Sequence, residues 1–129
     1  MKELLITDLD GTLLDPNGKL SDISAEIINQ FISTGGAFTF ATARTASSAV
    51  KITEKININT PCVLMNGVSI YDIQKKKYIK NEYINNGTAV TVAAIFKQCN
   101  IKPFMYKIKN NRLFALYTGF ENKQMYEFF

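Results

Sequence analysis

Histidine is absent from the 129 residues, which excludes any mechanism built on an imidazole base and any metal site ligated by histidine. Cysteine is scarce: Cys62 and Cys99 stand alone, with neither CxxC spacing nor a paired framework. Each lies inside an expected secondary-structure element, so both read as buried free thiols in a reducing compartment. No apolar run approaches the roughly 20 residues that span a bilayer. Met1-Lys2-Glu3 runs straight into strand-like residues without a signal-peptide pattern, so the expected setting is the cytoplasm, away from membranes. Long tracts of one charge are missing too. The net charge of +4 is scattered as single lysines apart from Lys75-Lys76-Lys77. That triplet falls between two strand-like runs and reads as a solvated hairpin turn, so a nucleic-acid partner is not expected.

What the chain does have is a globular balance, 47% hydrophobic and 20% charged, in a length that suits one ordinary domain. Its organising stretch is Glu3-Leu4-Leu5-Ile6-Thr7-Asp8-Leu9-Asp10-Gly11-Thr12-Leu13-Leu14. The apolar opening fits a strand buried on both faces of a parallel sheet. If the strand continues through the two aspartates, Asp8 and Asp10 point to the same side. They then share one site at the strand's carboxyl end, where open α/β sheets place ligands. Two adjacent carboxylates repel unless a cation or shared proton lies between them. Gly11 permits a sharp turn and Thr12 adds a hydroxyl. The pattern asks for a divalent metal with an anion beside it.

Downstream, Asp15-Pro16-Asn17-Gly18 is a turn by composition. Ser21 or Asp22 caps an expected helix with apolar positions at Ile23, Ile27, Ile28, Phe31 and Ile32, which Gly35-Gly36 ends. Ala37 to Thr42 reads as a second strand, so strand, helix and strand imply a parallel crossover. Thr42-Ala43-Arg44 closes that strand ahead of a helix expected over 45–55. A hydroxyl and free N–H groups at such a junction suit phosphate oxygens. Thr60 to Met65 is a third apolar run, followed by Asn66-Gly67 and a hairpin around the lysine triplet. From about Glu82 the pattern changes. A helix is expected from Asn86, with Val92, Ile95, Phe96 and Cys99 on one face. Two strands then follow around Asn110-Asn111, the second from Arg112 to Thr118. Phe104, Tyr106, Phe114 and Tyr117 read as ordinary sheet packing, with a substrate platform as the alternative.

The string Asp8-Leu9-Asp10-Gly11-Thr12-Leu13-Leu14 resembles the first motif of the haloacid dehalogenase-like phosphohydrolases. Thr42-Ala43-Arg44 resembles their second motif, with Ala43 where glycine is usual, and Asn66-Gly67 matches the pair after the third strand in the Cof-type sugar-phosphatase branch. The resemblance implies an α/β fold. Residues 1–81 would be the first half of a Rossmann-like parallel-sheet core, and 82–129 the opening of an α/β cap. It further implies a magnesium-dependent phosphomonoester hydrolase for a small phosphorylated metabolite such as a sugar phosphate. Asp8 would be the nucleophile that forms an aspartyl-phosphate and Asp10 the general acid/base. Asp8 and Asp10 would hold Mg²⁺, the latter through a backbone oxygen. Leu9, Thr42, Ala43, Arg44 and Asn66 would line the phosphate site.

Family members carry a third-motif lysine and a fourth-motif acidic cluster after the cap, and neither pattern occurs in this chain. The chain therefore reads as an N-terminal fragment that is inactive by itself, with Met125, Phe128 and Phe129 in an unfinished cap helix. Its first strand would lack one neighbour, and the uncovered apolar surface would favour self-association. The competing reading is a catalytically inactive module that binds metal or phosphate or serves in assembly. A receiver-like phospho-acceptor domain fits poorly, because Asp-x-Asp-Gly-Thr on the first strand is not its pattern.

Overall fold

Strand β1 (Leu4–Thr7) pairs in parallel with β2 (Ala37–Phe40), in the register Leu4↔Ala37 to Thr7↔Phe40. The structure, a computed structural model, describes residues 3–117 and residue 119. Thr118 and the expected helix carrying Met125, Phe128 and Phe129 lie outside the described residues. Between β1 and β2 runs α1 (Asp22–Ser33), capped by Ser21, whose hydroxyl accepts the Ser24 N–H at 3.0 Å. A single parallel bridge, Ala41↔Val63, extends the alignment to β3 (Cys62–Leu64). Before it comes α2 (Ala46–Ile52), shorter than the helix expected over 45–55. β3 then pairs antiparallel with β4 (Ser69–Asp72), and β4 with β5 (Lys77–Asn81) across the lysine turn. In that turn Lys76 takes φ 50°, and the Asp72 carboxylate accepts the Lys75 N–H at 2.9 Å. The fold is α/β, as the alternating pattern predicts.

The core sits around β2 and β3. Phe38, Phe40, Leu9, Cys62 and Leu64 are buried, with Ala25 and Ile28 supplied by α1. Two expectations fail here. β1 is not buried on both faces: Leu4, Leu5 and Ile6 are about half exposed, at 54%, 47% and 55%. The reason is its single partner, since among the described residues β1 pairs with β2 alone. The buried stripe of α1 is also rotated. Ala25 and Ile28 face inward with Ile32 partly covered, while Ile23 and Ile27 stay exposed. Helix α1 packs chiefly on β2, so it covers only the arc that faces β2.

Gly35 and Gly36 end α1 for different reasons. Gly35 adopts φ 98°, a left-handed conformation costly for any residue with a Cβ. Gly36 is not among the positive-φ glycines, but a Cβ there would run into the Phe31 ring. Gly36→Ala should therefore destabilise the fold by about 1–3 kcal/mol, the usual cost of overpacking. Chemical denaturation would check this, and Gly36→Ala with wild-type stability would show that Phe31 swings away freely.

The chain divides into two compact units, Met1–Glu82 and Tyr83–Phe129. In the second, Asn85 caps α3 (Asn86–Gln98) by accepting the Thr88 N–H at 2.8 Å. The hairpin β6 (Met105–Lys109) and β7 (Arg112–Leu116) turns through Asn110 and Asn111 at φ 50° and 61°, the positive values that tight hairpins need. The rings of Phe104 and Tyr117, which flank the two strands, meet edge-on at 6.0 Å. No described residue of α3 is buried, and Cys99 is exposed, contrary to the buried thiol expected. Val92 and Ile95 do recur at helical spacing, yet both remain open to solvent. Among the described residues, no helix is long and apolar enough to cross a membrane.

Candidate active site

At the carboxyl ends of β1, β2 and β3, three chain segments converge on one open cleft of about 510 Å³. Its lining includes Asp8, Asp10, Thr42, Ala43, Asn66 and Gly67, with Ala41 and Val63 as apolar members. Main-chain hydrogen bonds fix the convergence. Ala41 N–H donates to the Thr7 carbonyl at 2.9 Å, and Thr42 N–H to the Val63 carbonyl at 3.0 Å. Asn66 N–H returns to the Thr42 carbonyl at 3.1 Å and Met65 N–H to the Arg44 carbonyl at 3.2 Å.

Asp8 and Asp10 do share the site, though not by strand alternation. β1 stops at Thr7, and Leu9–Leu13 form a single π-type turn closed by Leu14 N–H on the Leu9 carbonyl at 2.9 Å. Asp8 caps this turn, its carboxylate accepting the Leu9 N–H at 2.7 Å. Asp10 and Gly11 depart from helical dihedrals inside the turn, Gly11 with φ 74°. A Cβ at Gly11 would meet nothing within 4 Å, so the glycine is required for its backbone conformation and not for space. The turn brings both aspartates to the lining of the same cleft.

Of the other expected site residues, Thr42 is buried and its Oγ1 accepts the Arg44 N–H at 3.3 Å. Ala43 is exposed on the lining, and its N–H has no hydrogen-bond partner among the described residues. Leu9 is fully buried, with its N–H engaged by Asp8. Asn66 is exposed at the rim with φ 56°, between Met65 at φ 53° and Gly67 at φ 92°. Three consecutive left-handed residues are uncommon, and such strain gathers at functional sites. Arg44 does not line the cleft. Its guanidinium grips the Asp10 carboxylate with two arms, Nε to Oδ2 at 2.7 Å and Nη2 to Oδ1 at 2.6 Å. Nη1 donates to Ser48 Oγ at 2.9 Å. The hydrogen bonds from Arg44 hold the Asp10 carboxyl below its ordinary value, and Asp10 in turn raises Arg44. Ser48 escaped the sequence reading, because Arg44 precedes α2 and the spacing rule for one helix face does not reach it.

Among the described residues, no three carboxylate, thiol or imidazole side chains gather as a ready metal cage. Magnesium does not need one, because it is commonly held by one or two carboxylates together with phosphate oxygens and water. Asp8 lines the cleft and its carboxylate can serve as such a ligand beside phosphate oxygens and water, so the residues fit the ion.

A family model of haloacid dehalogenase-like hydrolases matches residues 5–128. A Buchnera aphidicola protein from Schizaphis graminum, provisionally named a phosphatase, is 33% identical over 81 residues. The match covers 63% of this chain and 30% of that protein. A second, from the strain of Baizongia pistaciae and named likewise, is 36% identical over 76 residues, covering 59% and 28%. The crystal structure of a Thermotoga maritima protein superposes with TM-score 0.73 at 22% identity, over 99% of this chain and 46% of that one. A haloacid dehalogenase-like hydrolase from B. subtilis gives 0.68 at 23%, over 91% and 40%. The chain thus spans less than half the length of each of these proteins.

Proposed function

The chain belongs to the haloacid dehalogenase-like hydrolase family, and we propose on that basis that it carries the nucleophile half of a magnesium-dependent phosphomonoester hydrolase. The observation that carries the proposal is the joint placement of Asp8, Asp10, Thr42 and Ala43 around one open cleft. A carboxylate nucleophile, a second carboxyl group and hydrogen-bond donors for an anion are the parts that phosphoryl transfer needs.

Asp8 attacks phosphorus in line, forming a bond from its carboxylate oxygen while the bond to the leaving oxygen breaks. Asp10 must carry a proton once substrate is bound, although Arg44 favours its ionised form in the free cleft. It gives that proton to the leaving oxygen, then takes one from the water that hydrolyses the aspartyl-phosphate, so the enzyme returns to its starting state. The Ala43 N–H, the Thr42 hydroxyl and the Asn66 amide hold phosphate oxygens. The Leu9 N–H joins them as Asp8 turns toward phosphorus. Asp8 and the Asp10 main-chain oxygen would hold Mg²⁺, which supplies charge neutralisation at the phosphate when bound. The substrate proposed is a small phosphorylated metabolite, with sugar phosphates the first class to assay. The unpaired cysteines support a reducing, cytoplasmic setting.

Calorimetric titration of the chain with inorganic phosphate and Mg²⁺ tests the site directly. Binding is expected to weaken by about tenfold in Thr42→Val, the loss of one hydrogen bond to a charged group. An absence of binding in the unaltered chain would overturn the proposal. Binding without phosphomonoester turnover, in a protein that joins this chain to the rest of a family-length sequence, would favour a non-catalytic binding module instead.

A further inference from the structure

Arg44 ties several parts of the site together. Its main chain bonds to Thr42 Oγ1 and to the Met65 N–H, which locks it between the ends of β2 and β3. Its side chain reaches 34 positions back along the sequence to Asp10. Both arms of the guanidinium fork that faces Asp10 are committed to the carboxylate, and the remaining nitrogen is committed to Ser48 on α2. A planar fork on a planar carboxylate fixes the rotation of that carboxylate, which a single ammonium cannot do. The placement is one-sided. Asp10 lines the cleft and is 51% exposed, whereas Arg44 is 27% exposed and off the lining.

We infer that Arg44 is the positioning residue of Asp10, anchored by Ser48, and not a ligand of the phosphate. Arg44 supports Asp10 from behind, presenting the carboxylate edge to the cleft and balancing its charge beside Asp8. Ser48 holds the guanidinium plane from the first turns of α2, so α2 is mechanically linked to the turn that follows β1. The catalytic meaning of this arrangement rests on the role proposed above for Asp10, but the arrangement can be tested without it.

The chain has two arginines, Arg44 and Arg112, so an NMR spectrum of arginine Nε–H groups carries two signals. Arg44 should give a slowly exchanging signal that disappears in Asp10→Asn. Ser48→Ala should broaden it and Ser48→Thr, which keeps the hydroxyl, should restore it. Unchanged β2 amides in each variant would show that the fold survives. Titration with inorganic phosphate and Mg²⁺ should move the Thr42 and Ala43 amides and leave the Arg44 signal in place. An Arg44 signal that follows the phosphate titration, or one indifferent to Asp10→Asn, overturns the assignment. If the Thr42 and Ala43 amides ignore phosphate, the phosphate-site proposal falls alone. The Asp10 and Ser48 comparisons then still decide what Arg44 does.

Discussion

Asp8→Asn will reduce phosphomonoester turnover by about 10⁴-fold or more, the scale on which removal of a covalent nucleophile is felt. The measurement is phosphate release by a protein that joins this chain to the remainder of a family-length sequence. Asparagine is close to isosteric, and its side-chain oxygen can still accept the Leu9 N–H that Asp8 accepts at 2.7 Å. The turn should therefore survive, and the loss can be assigned to chemistry. Asp8→Glu keeps the charge but adds a methylene, moving the carboxylate by more than the ~1 Å misplacement that already costs about 10²-fold. Asp10→Asn should cost less than Asp8→Asn, about 10²–10⁴-fold, since it removes proton transfer and leaves the nucleophile. The order of the two aspartates is the sharp part of the prediction. Full turnover in Asp8→Asn, or a larger loss in Asp10→Asn, would mean that phosphorus is attacked by something other than Asp8.

Much of the site was legible because its parts are local. Asp8, Leu9, Asp10 and Gly11 are consecutive, and a glycine after two acidic residues announces a turn that must bend back. Thr42 and Ala43 are adjacent at a strand end, and Asn66-Gly67 is a turn by itself. The Asn110-Asn111 hairpin was readable for the same reason. What escaped was set by distance. Nothing in the sequence near Arg44 indicates that its guanidinium will meet Asp10, because that pairing depends on β1 and β2 lying side by side in a fixed register. Ser48 became meaningful only once Arg44 had a direction. Burial was the weaker guide throughout. Leu4, Leu5 and Ile6 are apolar, which identifies a strand but not the number of its neighbours. Cys99 follows the spacing of an α3 face on which no residue is buried and, of Val92, Ile95, Phe96 and Cys99, only Phe96 is even partly covered. Composition reports the wish to be buried, and only the arrangement of partners decides whether the wish is met.

The same surplus of apolar surface makes the second large effect. In solution the 129-residue chain should self-associate, and Leu4→Lys combined with Ile6→Lys should return it to a monomer. β1 offers a free edge of main-chain N–H and C=O groups among the described residues, flanked by three side chains near half exposure. Covering one such side chain is worth roughly 1 kcal/mol, half of the usual value for complete burial. Leu4 and Ile6 lie on one face of the strand, since successive residues alternate. In a symmetric pair they contribute about 4 kcal/mol, close to 10³-fold in the dissociation constant. Lysine on an exposed edge is the common device against pairing, because its charge resists burial while its stem tolerates the strand. Neither substitution touches the buried face of Phe38 and Phe40, so the circular dichroism of the double variant should match the parent. Sedimentation of both proteins from about 1 to 100 µM covers the range in which a shift of this size is visible. A parent chain that stays monomeric throughout would show that β1 is tolerated as an open edge. An associated parent unaffected by the two lysines would move the interface elsewhere, to the exposed Ile23 and Ile27 of α1 or to the α3 face.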